Sequence, residues 1–386
     1  MIRSVQQIDG GRVLLVEWQD GFSARFHALW LRDNAGDAKT RDVSSGQRNH
    51  TILDLSPETR CEAASVSEEG ELQTRFAPDG HEVAFSADWL RANHYDRPDN
   101  HRSQTISPPP GVEPWQQALS DRLPRGSYAE IASDESALAD WLTKVERYGF
   151  AVLDDVPVRD GAIFDVVDLF GFVRETNYGR LFDVRTEINP SNLAFTNRAL
   201  QVHTDNPYRR PVPTLQLLHC LEAAGEGGDS VVIDGFSAAL MLAERAPEHF
   251  DALCSSPVPF EYKGSDGTHL CSGGPLIEVD RMGVLRSVRF NNRSMAPMGL
   301  PFDETLAFYE AYRAFAEVLE RPELRVTFRL APGSLFVVDN TRVMHGRTGY
   351  ESDGHRHLQG CYADIDGLAS RRRELQAKAT ASAAAG

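Results

Sequence analysis

The chain has 386 residues, 41% of them hydrophobic and 25% charged, enough for two domains and a large core. A net charge of −16 argues against nucleic acid or an anionic membrane as the partner, and it demands local positive charge wherever an anionic ligand is held. Cys61, Cys220, Cys254, Cys271 and Cys361 are scattered and form no CxxC pair, so reduced thiols in a cytoplasmic protein are expected. The N-terminus has no apolar leader core, and no apolar run is long enough to cross a bilayer.

In chain order, residues 1–95 read as a small β-rich domain. Arg12–Trp18 and Ser23–Trp30 alternate in strand fashion around Gln19-Asp20-Gly21, a hairpin turn signal. Residues 96–126 read as a linker, because Pro108-Pro109-Pro110-Gly111 is extended and polar, with Trp115 packing it onto the body. Residues 127–380 form the second domain. It opens with a helix over Asp134–Tyr148, capped by Ser133, with Leu138, Trp141, Leu142 and Val145 at helical spacing. A buried strand from Phe150 and a helix over Ala162–Phe172 follow.

After that, short strands alternate with turns: Thr214–Cys220, Ser230–Asp234, Val284–Phe290, Val326–Leu330, Ser334–Asp339 and Leu358–Tyr362. Strands this short suggest a β-sandwich or barrel. The helix over Glu304–Leu319 places Leu306, Tyr309, Tyr312, Phe315 and Leu319 on one side, which suits a core face or a dimer surface, and a homodimer is the expected assembly. The tail from Arg371 is charged, then alanine-rich, and is expected to fray.

The chemistry gathers at Leu200-Gln-Val-His203-Thr-Asp205. At a strand end, residues two apart face the same side, so His203 and Asp205 can address one point. The distant His345 can complete a set of two imidazoles and one carboxylate, which covers one face of an octahedral metal and leaves three positions open, as non-haem Fe(II) requires. An isolated His-x-Asp is usually a solvated loop. Here Gly227-Gly228-Asp229-Ser230 follows, then His345-Gly346, then Arg356 eleven residues after His345. His355 and His357 adjoin Arg356, but His345 is preferred because it precedes a glycine just after the apolar run Ser334–Asp339.

That order of motifs resembles the taurine dioxygenase superfamily of Fe(II)/2-oxoglutarate oxygenases. The longer strings Trp30-Leu-Arg-Asp-Asn34, Leu215-Gln-Leu-Leu-His-Cys220, Phe290-Asn291-Asn292 and Arg356-His-Leu-Gln-Gly-Cys-Tyr362 are similar to the γ-butyrobetaine dioxygenase branch, across nearly the whole chain. The resemblance implies a double-stranded β-helix, or jelly-roll, behind a small β-rich domain. It also implies Fe(II) on His203, Asp205 and His345, with 2-oxoglutarate and O₂ as cosubstrates and ascorbate as a reductant. The distal carboxylate of 2-oxoglutarate would sit on Arg356, with Ser230 beside it. Many relatives bind structural zinc through cysteines after the Trp-Leu-Arg-Asp-Asn string. Ala35–Thr40 holds none, and His50 and His81 without thiolates read as surface residues, so no zinc is expected.

The same resemblance places an aromatic cage for a trimethylammonium group at Tyr178, Phe182, Phe195 and Tyr362. Cation–π attraction is the available grip on such a group. The substrate's anion falls to Asn192, Asn292 and the residue after the metal aspartate, here Asn206 in place of a tyrosine, with Arg293 added. Losing a phenol and gaining a guanidinium suits a bulkier anion and favours 2-(trimethylammonio)ethylphosphonate. γ-Butyrobetaine, giving L-carnitine, is the alternative, and another small anion such as a sulfonate is the third. In each trimethylammonium case the second carbon from nitrogen would be hydroxylated. A non-enzymatic jelly-roll binding protein is disfavoured by the intact His203, Asp205, His345 and Arg356.

Overall fold

The computed structural model describes residues 1–96, 105–185, 199–223, 226–350 and 356–385. They fall into two compact units, Met1–His101 and Arg102–Gly386.

In the first unit, strands β1 (Ile2–Ile8), β2 (Val13–Trp18) and β3 (Ser23–His27) form one antiparallel sheet, and helix α1 (Ala28–Asp33) follows. Strands β4 (Arg60–Val66), β5 (Leu72–Ala77) and β6 (Glu82–Phe85) form a second, closed by helix α2 (Ala87–Ala92). Period-two burial sends Leu14, Val16 and Trp18 of β2, Phe26 of β3 and Leu72 and Phe76 of β5 into one core with Leu31 and Leu90. The expected hairpin is present, with Gly21 at φ 85°. Trp30 belongs to α1 rather than to a strand, because Leu31 is drawn into the core and the backbone turns at His27.

His50 and His81 are not surface residues. Each is tied to an aspartate: His81 Nε2 lies 2.9 Å from Asp37 Oδ2, and His50 Nε2 lies 3.2 Å from Asp33 Oδ1. Burial pushes the Asp37 carboxyl up, but hydrogen bonds from His81, Thr40 and the Lys39 amide outweigh it and hold the group at about 2.

In the second unit, the stretch expected as linker is partly built into the body. Trp115 is buried; its backbone N–H donates to Asp234 and its indole N–H to the Tyr148 carbonyl. Strand β7 (Arg125–Ser127), helices α3 (Tyr128–Ser133) and α4 (Glu135–Tyr148) and strand β8 (Phe150–Asp154) follow. Asp134, not Ser133, caps α4, accepting from the Ser136 amide, while the Ser133 hydroxyl turns back to the Ala129 carbonyl. The next helix, α5 (Ala162–Val167), is shorter than expected. Then come β9 (Val173–Arg174), β10 (Phe182–Arg185), β11 (Leu200–His203), β12 (Leu215–Glu222), β13 (Ser230–Asp234), α6 (Gly235–Arg245) and α7 (Pro247–Ser255). A hairpin, β14 (Val258–Lys263) and β15 (His269–Gly274), and a smaller one, β16 (Ile277–Val279) and β17 (Leu285–Val288), lead to α8 (Phe302–Leu319). Strands β18 (Arg325–Phe328), β19 (Leu335–Asp339), β20 (Val343–Arg347) and β21 (His357–Ala363) precede α9 (Ile365–Ala385).

The larger sheet runs β10-β21-β12-β19-β8-β7, with β9 also on β21, and the smaller runs β11-β20-β13-β18. Alternation sorts their side chains. Phe150, Val152, Phe336 and Val338 of the larger sheet meet Val232, Val326 and Val343 of the smaller in one apolar layer. Their neighbours Ala151, Leu153, Leu215, Leu217, Leu335 and Val337 face outward under α4, α5 and α9. Helices α6 to α8 cover the other side of the smaller sheet. The result is the expected double-stranded β-helix with flanking helices.

Two helices depart from expectation. The inward face of α8 is Phe308, Ala311, Phe315 and Leu319, whereas Leu306 and Tyr309 are exposed. Apolar residues populate both sides of this helix, so the stripe read from spacing alone is rotated from the true one. The tail does not fray at Arg371. Leu368 and Leu375 are buried, and Arg371, Arg372 and Lys378 pair with Glu135 and Glu146 of α4. The alanine run then continues the helix at the best available propensity.

Candidate functional site

A cavity of about 460 Å³ opens between the two sheets, and most of the expected site residues line it. Strand β20 lies between β11 and β13, so His345 stands directly opposite His203. This pairing joins residues far apart in the chain, and Gly346 permits it: a Cβ there would meet the Leu200 carbonyl oxygen at 2.4 Å. The His203 and His345 ring centroids are 4.8 Å apart, and Asp205 Oδ1 is 3.2 Å from His203 Nε2. One ligand atom from each of the three residues lies within 4.8 Å of the others.

The protonation pattern suits a cation. His203 Nδ1 donates to the Gln201 carbonyl at 2.8 Å, which leaves the Nε2 lone pair facing a carboxylate oxygen. Burial pushes His345 down to about 3, so its imidazole is neutral. Burial would raise Asp205, but contact with the His203 imidazole and the hydrogen bond from Tyr362 hold it well below the usual carboxylate range. Electron pairs thus converge on one point, and a metal there would relieve their repulsion. Fe(II) therefore fits this donor set.

Asp205 is also oriented from behind. Its Oδ2 accepts from Gln216 Nε2 at 2.6 Å and from the Tyr362 hydroxyl at 2.8 Å. Gln216 and Tyr362 are register partners on β12 and β21. Asn340 brackets the backbone, accepting from the Asp205 amide at 2.6 Å and donating to the Asp205 carbonyl at 2.9 Å. Sequence reasoning missed Gln216 and Asn340, although Gln216 stands in a string singled out above and Asn340 directly follows the apolar run Ser334–Asp339. Cross-strand register brings Gln216 to its partner, and a contact between two loops brings Asn340 to Asp205.

Ser230 and Arg356 are buried and line the cavity. The Arg356 guanidinium lies 5.8 Å from the Tyr350 ring centroid. Gly228, at φ 71°, makes room for it, since a Cβ would stand 3.3 Å from Arg356 Cδ. Arg347, buried and unforeseen, also lines the cavity; burial and the nearby Arg356 push it down to about 10. With Arg293 these cations supply the local positive charge that so acidic a chain needs.

Three of the four expected cage residues are described, and they meet. Phe182 lies 6.2 Å from Tyr178 and 5.2 Å from Tyr362 between ring centroids. Tyr208 and Tyr262, not foreseen, extend the aromatic wall, stacked at 5.0 Å, with Tyr262 also 6.0 Å from Tyr178. Phe195 and Asn192 lie outside the described residues.

On the polar side, Asn206 takes φ 53°, a left-handed conformation asparagine tolerates. Its Oδ1 accepts from the Tyr208 hydroxyl at 2.7 Å, and its buried Nδ2 has no partner among the described residues. Arg293 keeps a large accessible surface but stands in the cavity wall; burial lowers its pKa while Asp205 opposes the shift. Asn292 is a correction: it is exposed and lies outside the lining, whereas Asn291 is buried and lines the cavity. The cause is local. Thr204 and Phe290 exchange hydrogen bonds, and Asn291 Nδ2 donates to the Thr204 carbonyl, so position 291 is the one held inward.

Two family descriptions match the chain: "Taurine catabolism dioxygenase TauD, TfdA family" over residues 111–362 and "Gamma-butyrobetaine hydroxylase-like, N-terminal" over residues 5–91. Among curated relatives, a γ-butyrobetaine dioxygenase of Pseudomonas sp. (strain AK-1) is 35% identical, covering 94% of this chain and 93% of that one. The γ-butyrobetaine dioxygenase of Homo sapiens is 29% identical with 97% of each chain covered. The mitochondrial trimethyllysine dioxygenase of Bos taurus is 30% identical over 91% of this chain and 83% of its own. With a metal-type donor cluster at the mouth of a double-stranded β-helix, the chain belongs to the TauD/TfdA dioxygenase family, in its γ-butyrobetaine hydroxylase-like branch, and is an Fe(II)- and 2-oxoglutarate-dependent dioxygenase.

Proposed function

We propose that the chain hydroxylates a small trimethylammonium carboxylate of the γ-butyrobetaine type at the second carbon from nitrogen. The observation that carries this reading is one cavity holding an aromatic wall, a guanidinium and the His203/Asp205/His345 cluster together. The names of the relatives shift the proposal from the phosphonate favoured by sequence to the carboxylate.

His203, Asp205 and His345 would hold the iron. When bound, iron with 2-oxoglutarate and O₂ supplies the oxidising power that replaces C–H by C–OH. Arg356 would fix the distal carboxylate of 2-oxoglutarate in a two-point fork, with Ser230 alongside. Tyr178, Phe182 and Tyr362 would face the methylated nitrogen, which offers no conventional hydrogen bond. Asn206 Nδ2 would donate to the substrate's anion, with Arg293 as its counter-charge. Fixing both ends chooses the carbon that reacts, because a displacement of about 1 Å is enough to lose most of the rate.

The phosphonate remains a second reading because Arg293 stands in the cavity wall. Succinate formation with γ-butyrobetaine and with 2-(trimethylammonio)ethylphosphonate separates the two. The wild type is expected to show the higher kcat/KM on γ-butyrobetaine; the reverse order would install the phosphonate. Arg293→Ala is expected to cost about 1.5–3 kcal/mol, roughly 10- to 150-fold in kcat/KM, and more on the phosphonate than on the carboxylate. Equal losses would leave the phosphonate reading without support. Product NMR showing hydroxylation at another carbon would remove the aromatic wall as the ruler.

Tyr362→Phe tests the support of the metal carboxylate separately. The ring remains while the donor to Asp205 Oδ2 is lost. Iron affinity is expected to fall about 10- to 100-fold, as for other outer-shell partners of metal ligands. An Fe(II) titration giving the wild-type affinity would show that Gln216 and Asn340 suffice to orient Asp205.

A further inference from the structure

Among the described residues, one other place brings a histidine, a cysteine and a carboxylate together: the β14–β15 hairpin. Its strands pair antiparallel with Glu261 opposite Cys271. His269 lies two residues before Cys271 and so projects to the same side, as does a directly opposed cross-strand neighbour. The contacts agree. His269 Nε2 lies 2.7 Å from Glu261 Oε1 and 3.4 Å from Cys271 Sγ. The three candidate donor atoms all lie within 4.8 Å of one another. Tyr262, between Glu261 and Lys263, stacks on Tyr208 in the cavity wall, and Glu261 and Lys263 also border that cavity, whereas His269 and Cys271 do not.

We propose that Glu261, His269 and Cys271 form a second metal site, for a borderline-soft divalent cation of the zinc type, with solvent as the fourth ligand. One thiolate, one imidazole and one carboxylate are the donors such an ion takes, and sulfur excludes the hard cations calcium and magnesium. Bond lengths of about 2.0–2.3 Å place tetrahedral neighbours roughly 3.3–3.7 Å apart. The present separations need only small side-chain rotations to reach that range, and His269 and Cys271 are exposed enough to make them. Lys263 Nζ also touches Glu261 Oε1, at 2.9 Å, but its side chain is 66% exposed, and an ion pair in water yields readily to a metal. Binding deprotonates the thiol, so a proton is released.

Sulfur separates this site from the iron ligands, which have none. Cobalt(II), titrated into the full chain, is the probe. Thiolate ligation gives an intense near-ultraviolet charge-transfer band that a histidine–carboxylate set cannot produce. The wild type is expected to bind a second equivalent carrying that band, and zinc, not magnesium, should abolish it by displacing cobalt. Cys271→Ser and His269→Ala should each remove the band and weaken the second equivalent by at least about 10-fold, beyond the least that loss of an outer-shell partner costs. His203→Ala should keep the band and lose the other equivalent. A band that survives Cys271→Ser, a single equivalent without the band, or displacement by magnesium would each overturn the proposal.

Discussion

Replacing His203 with alanine is expected to abolish 2-oxoglutarate turnover and, with it, stabilisation by Fe(II). The side chain is lodged by its bond to the Gln201 carbonyl and supplies one of the three convergent electron pairs. Losing a ligand should weaken iron by more than the roughly 100-fold upper cost of losing an outer-shell partner. In the wild type, free Fe(II) at about 100 times its dissociation constant should add about 2.7 kcal/mol to the unfolding free energy. In His203→Ala that increment should vanish at the same concentration. The metal-free chains should unfold nearly alike, because the ring borders an open cavity and its removal leaves no sealed void. Retained turnover with iron still bound would sink the assignment of His203.

The largest stability effect is expected from Arg342→Ala. Arg342 Nε and Nη2 each lie 2.9 Å from an oxygen of Asp234, and the two side chains are 2% and 0% exposed. The guanidinium also donates to the carbonyls of Arg147 and Glu113, while Asp234 accepts from the Trp115 and Phe236 amides and the Ser237 hydroxyl. Removing one partner strands a buried carboxylate with a cost of about 3–5 kcal/mol. Urea denaturation monitored by circular dichroism measures it. The double variant Arg342→Met/Asp234→Asn should recover part of the loss, since both charges leave together. If Arg342→Ala alone cost under about 1 kcal/mol, the pair would be behaving like a surface bridge. Arg342 immediately precedes β20, so the same variant should also loosen His345.

The parts of the site legible in the sequence were those set by local spacing. His203 ends β11, so the two-residue step to Asp205 has the geometry a strand end implies. Gly228, at φ 71° beside Arg356, and Gly346, where close approach of the Leu200 carbonyl excludes a Cβ, leave marks. What stayed hidden depends on contacts between distant segments: Gln216 against Tyr362 by strand register, Asn340 around Asp205 and Tyr262 against Tyr208 through the loops that carry Asn340, Asp205 and Tyr208. The β14–β15 hairpin escaped notice because Pro259 inside β14 and Gly273-Gly274 in β15 read as strand breakers, although Val258, Phe260 and Tyr262 alternate. In α8 apolar residues on both sides concealed the buried face, and in the tail burial of Leu368 and Leu375, with ion pairs to α4 beside them, outweighed a composition that suggested disorder.

Tyr362 bears on any effort to retool the pocket for other molecules. Its ring belongs to the aromatic wall, and its hydroxyl holds the carboxylate of the donor cluster. Mutational libraries that vary position 362 would therefore confound selectivity with iron retention, and inactive clones would reveal nothing about fit. Phe182 and Tyr262 face the same space without a hydrogen bond to His203, Asp205 or His345 among the described residues. Those two positions are where a designer can reshape the chamber while leaving its oxidising centre alone.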